Sequence, residues 1–89
     1  MNFTFQKIKG RPRYTKIKLK GKVVGQIIED SEGEFQILLH VKRNPSRKDP
    51  CPFKTIIVQH EFGTEEKTRE FLKRNFEEIL AGHILHPID

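Results

Sequence analysis

YTKIKLKGKVVGQIIEDSEGEFQILLHVK, residues 14–42, decides the fold. Its first seven residues, Tyr14–Lys20, alternate strictly: Thr15, Ile17 and Leu19 take one face of a strand, and Lys16, Lys18 and Lys20 the other. Lys20-Gly21 supplies a tight turn, because glycine adopts positive φ without steric cost. Lys22–Glu29 is a second strand, apolar on both faces in places, which predicts a central position. Gly25 inside it marks a bulge or a close approach of backbone. Asp30-Ser31-Glu32-Gly33 is a polar hairpin turn. In Glu34–Lys42, Phe35, Ile37, Leu39 and Val41 point one way, and Gln36, Leu38, His40 and Lys42 the other. Three strands joined by hairpin-length turns make an antiparallel sheet.

Outward from this meander, Asn2–Ile8 carries Phe3 and Phe5 on one face and reads as an extra edge strand. On the other side, residues 43–52 hold three prolines, Pro45, Pro50 and Pro52, which fix φ and remove backbone donors. That segment is an exposed basic loop leading to a further strand, Phe53–Phe62. Thr64 is the N-cap of a helix whose first turn holds Glu65 and Glu66, at the positive end of its dipole. Leu72, Phe76, Ile79, Leu80 and His83 repeat at helical spacing as an apolar stripe, while Glu70, Lys73, Arg74, Glu77 and Glu78 form the far face. Gly82 ends the helix. The fold class is α+β: an antiparallel sheet of three to five strands with one C-terminal amphipathic helix packed on one face. The expected contact sets Phe35, Ile37, Leu39 and Val41 against Leu72, Phe76 and Leu80. Each large side chain buried there contributes roughly 1.5–3 kcal/mol.

The junction EFGTEEK, residues 61–67, resembles the F-x-T-x-E-E helix start of three-strand-plus-helix DNA-binding domains of the integrase N-terminal kind. The longer third strand and the proline-rich loop depart from that pattern, as does the lack of its Arg/Trp set.

The 89 residues suit one domain, 1–89, with a core too small to enclose a deep substrate pocket as well. Seventeen Lys and Arg against twelve Asp and Glu give a net charge of +5. The excess is localised. The first 28 residues hold eight positive side chains and no acidic one, and residues 42–54 hold five positives against Asp49 alone. Residues 29–41 carry −4 and residues 55–89 carry −3. Such asymmetry points to an anionic partner.

Catalytic patterns are missing: there is no Gly-rich phosphate loop, nucleophile elbow or H-E-x-x-H helix, so no enzyme is expected. Glu65/Glu66 and Glu77/Glu78 are chain neighbours that diverge around a helix. Cys51 with His83 and His86 falls short of the four ligands of a structural zinc, so neither metal nor cofactor is expected. One cysteine permits no internal disulfide, which favours a reducing, cytoplasmic setting. The N-terminus has no apolar signal-peptide core, and no apolar run is long enough for a membrane span.

What remains is binding. Lys16, Lys18 and Lys20 space positive charges about 6.5–7 Å apart along a strand. Arg11, Arg13 and Tyr14 extend the row, and Arg43, Arg47 and Lys48 form a second arm on the loop. Tyr14 is the only aromatic expected on that side, which leaves no stacking platform. The reading is a small non-catalytic protein that binds nucleic acid, DNA or RNA, through a basic sheet face and a basic loop. The alternative is a protein-interaction module, an inhibitor or adaptor docking on an acidic protein partner, as a monomer or a dimer.

Overall fold

The computed structural model describes residues 2–58 and 63–88. Among the described residues five strands, β1 (Phe3–Ile8), β2 (Arg11–Leu19), β3 (Lys22–Glu29), β4 (Phe35–Lys42) and β5 (Phe53–Ile57), precede one helix, α1 (Glu65–Leu80). The strands lie in chain order as an antiparallel meander. The α+β expectation holds at its upper limit, with the N-terminal edge strand formed. The expected extension of β5 through residues 59–62 lies outside the described residues.

Alternation builds the core. Thr15, Ile17, Ile27, Ile37, Leu39 and Val41 are all at most 2% exposed on one face. Leu72 and Phe76 of α1 close over that face, and the Phe76 ring meets Phe3 at 5.0 Å between centroids. Thr64 caps the helix by accepting a hydrogen bond from the Lys67 amide at 3.2 Å. At Asn75 the helix departs from regular geometry (φ −116°), and the Asn75 side-chain amide donates to the Phe71 carbonyl four residues back. The helix ends at Leu80, just before Gly82 as expected, although the apolar periodicity runs on to His83. Ala81 takes the left-handed cap conformation, so His83 lies beyond the helix and not on its stripe.

Two irregularities shape the sheet. Pairing of β2 with β3 steps from Ile17↔Gly25 to Lys18↔Val23, so Val24 is an extra, fully buried residue in a bulge beside Gly25. Pairing of β3 with β4 stops at Gly25↔Leu39, and the chain after α1 runs into the opening. There the Lys42 amide donates to Ile84 (2.7 Å), the His86 amide donates to His40 (2.9 Å), and Val23 and Ile88 exchange both backbone bonds. The tail thus satisfies backbone groups that the splayed strands leave open.

The helix start is tied to the sheet by Glu65. Its carboxylate accepts from Thr15 Oγ1 (2.8 Å) and Arg69 Nη2 (3.1 Å), and pairs with Lys7 Nζ at 2.9 Å. Partial burial pushes the Glu65 pKa up, but Lys7, Thr15 and Arg69 together outweigh it and hold the group below its ordinary 4.5. A carboxylate depressed on folding stabilises the fold above its unfolded pKa, and that contribution disappears as pH falls through the folded value. Glu65→Gln keeps an acceptor for Thr15 but loses the charge facing Lys7, Arg69 and the helix dipole. It should lower stability by about 1 kcal/mol at neutral pH. In urea melts across pH, the gap to wild type should close as pH falls below the ordinary carboxylate range and through the depressed Glu65 pKa. A gap that persists in acid would contradict this ionic role.

Candidate nucleic-acid interface

With α1 on one face, the opposite face of the sheet is uncovered by any described element. Cross-strand registers give its rows: Thr4, Lys18 and Val23; Gln6, Lys16, Gln26, Leu38 and Ile57; Tyr14, Ile28 and Gln36; His40 and Thr55; Lys42 and Phe53. Not one of these residues is buried, and none is a carboxylate. The acidic side chains Glu66, Glu70, Glu77 and Glu78 are exposed on the helix instead. Alternation along β2 and β4 sorts the charge this way, because their lysines share the parity opposite to the core residues.

The structure brings together part of the basic set read from the sequence. Lys16 and Lys18 stand side by side on the open face, and among the described residues neither has an ion-pair partner. Lys20 leaves the row. It sits in the two-residue β2–β3 turn with φ 53°, followed by Gly21 with φ 80°, a primed turn that matches strand twist. From there Lys20 lines a groove on the helix side with Leu19, Phe76 and Leu80.

Arg11 and Arg13 belong to β2 itself, which starts three residues before the Tyr14 expected from the alternation. Ile8 pairs with Arg11 while Lys7 pairs with Thr15, so residues 12–14 bulge out, and Pro12 there has no amide to donate. Arg11 lies over the Tyr14 ring at 5.9 Å. In the loop, Arg43 turns inward: its guanidinium pairs with Asp49 Oδ2 (2.9 Å) and donates to the Asp49 carbonyl (3.0 Å). It braces the loop, whereas Arg47 and Lys48 are exposed. The Cys51 thiol donates to the Phe53 carbonyl at 3.3 Å.

An aromatic group stands where none was expected. Phe53 lies on the open face with His86 stacked against it (5.2 Å between centroids, 14° between planes) and His40 edge-on at 5.4 Å. His40 Nδ1 shares a hydrogen bond with Thr55 Oγ1 at 3.1 Å. Burial, with the nearby His86 adding to it, lowers the His40 pKa from its ordinary value. Tyr14 is therefore not the only aromatic on this face. The signal for Phe53 was its parity in β5. His86 was invisible locally, because only the tail's return between β3 and β4 places it there.

Among the described residues no three His, Cys, Asp or Glu side chains converge as a metal site, and no helix is long and apolar enough to cross a membrane. The fold and this face define an open-faced α+β sheet domain. No family model, curated protein or solved structure matches the chain.

Proposed function

We propose that the chain is a non-catalytic nucleic-acid-binding protein that takes a single strand across its open sheet face, in a reducing, cytoplasmic setting. The observation that carries this reading is that, among the described residues, no carboxylate stands in the paired rows of a face holding Lys16, Lys18, Lys42 and the rings of Tyr14, Phe53 and His86. Lysines supply phosphate contacts whose strength falls with salt, and rings offer π-faces to bases of any sequence. A single strand makes its bases available to such rings; a duplex keeps them stacked inside. Arg11, Arg13, Arg47 and Lys48 extend the positive field at the two ends of the face.

Removing the Phe53 ring separates stacking from charge. Phe53→Ala should weaken binding of a short single-stranded oligonucleotide by about 1–3 kcal/mol, and leave any duplex binding nearly unchanged. Fluorescence anisotropy with both probes checks this. Equal losses for duplex and single strand would count against base stacking.

A second reading has its own support. Leu38 and Ile57 pair on the same face, and Ile57 is 52% exposed at the β5 edge. An acidic protein partner could seat an apolar side chain there while its carboxylates meet Lys16 and Lys18. Such a partner would give a saturable one-to-one complex with no affinity for oligonucleotides.

A further inference from the structure

At the corner of the open face where β4 ends and β5 begins, a cleft of about 590 Å³ opens between the basic loop and the C-terminal tail. Lys42, Arg43, Asn44, His83 and His86 line it, with Pro52 and Ile84 as its apolar walls, and no carboxylate enters its lining. Its two sides are fixed by backbone. The Lys42 amide holds the Ile84 carbonyl at 2.7 Å, the His86 amide holds the His40 carbonyl at 2.9 Å, and the Arg43 amide donates to Pro52 at 3.0 Å. Asp49 occupies Arg43 from the loop side at 2.9 Å. Lys42, His83 and His86 have no acidic partner among the described residues.

We infer that this cleft holds a phosphate monoester, the terminal phosphate of a bound single strand. The inference rests on the open-face reading and adds to it an end preference. A terminal monoester carries close to two negative charges and three acceptor oxygens, whereas an internal diester carries one charge. Several donors gathered around one depression can meet that larger demand, and charge-assisted bonds of this kind are the strong ones. The surroundings match a strand end. Phe53, stacked on His86 at 5.2 Å, lies beside the cleft and presents the ring on which the last base sits. Lys18 is on β2 and Phe53 on β5, and the path between them crosses β3, the tail and β4, four strand spacings or about 19 Å, a distance a few nucleotides cover. A strand laid from the lysine pair across the sheet thus reaches the cleft at its end.

The test compares one short single-stranded oligonucleotide carrying a 5′-phosphate, a 3′-phosphate or hydroxyls at both ends, by anisotropy at fixed ionic strength. The expected result is about tenfold tighter binding of one phosphorylated form over the hydroxyl form. In the double variant Lys42→Gln/His83→Gln, checked for folding by circular dichroism, that ratio should fall to about one. Equal binding of all three oligonucleotides to wild type would overturn the cleft assignment and leave the open-face reading standing. If no oligonucleotide binds, the open-face reading fails by itself, and inorganic phosphate then decides the cleft. Shifts of the His83 and His86 ring resonances with millimolar phosphate, absent with matched chloride, would support it. Their absence would overturn it.

Discussion

Gly25→Ala should melt far below wild type, by roughly 12–24 °C, for a loss of about 3 kcal/mol or more. Gly25 is buried in β3 between Ile17 and Leu39, at the point where β3 bulges and its pairing with β4 ends. A methyl group on its α-carbon would be driven into the Leu38 carbonyl oxygen and would also stand 2.9 Å from Leu39 Cδ2. The Leu39 side chain can give way. The Leu38 carbonyl is part of a ladder flanked by β3 and β5, so relief requires the strands to separate. A small domain holds only about 5–15 kcal/mol in total, so the loss is a large share of it. Gly63→Ala is the control, since a methyl there meets nothing within 4 Å. Thermal melts followed by circular dichroism read both. A Gly25→Ala protein melting within a few degrees of wild type would show that strand packing at the bulge is looser than described.

Lys16→Glu/Lys18→Glu should weaken single-strand binding about a hundredfold or more at low salt. The two side chains flank Gln6 and Gln26 in one row and Thr4 and Val23 in the next, and among the described residues neither has an acidic partner. Removing two phosphate contacts reduces the salt slope by about 1.4 on a single strand, and the introduced carboxylates add repulsion. Because both positions are on the uncovered face, the fold itself should change little. Net charge alone must be separated from position. Lys67→Glu/Arg74→Glu on the exposed side of α1 makes the same change in total charge and should cost far less affinity. Equal losses in the two variants would mean that the protein binds through its overall field and not through this face.

The elements were legible because their signals are local. Alternation in residues 14–42 sets which side chains meet the helix, and Thr64 declares the helix start without reference to anything distant. Gly25, set in an otherwise apolar strand, already implied a close backbone approach. What escaped depends on backbone closure. The turn geometry at Lys20 removes it from a row that simple alternation would continue. Arg43 looked like a free cation until the loop folded Asp49 onto it. Beyond Gly82 no local pattern marks the tail, yet its amides and carbonyls find partners on β3 and β4, and this carries His86 to Phe53. A pattern within one strand is visible in the sequence; a strand borrowed from elsewhere in the chain is not.

The most direct test is the salt dependence of single-strand binding by the wild-type protein, measured by anisotropy with a short labelled oligonucleotide. With three to five lysines and arginines of the open face and loop on phosphates, the plot of log affinity against log salt should slope at about −2 to −3.5. Micromolar or tighter binding at low salt with such a slope is what the open-face account predicts. Flat anisotropy at low salt, where phosphate contacts are strongest, or binding indifferent to salt, would contradict it and turn attention to an acidic protein partner.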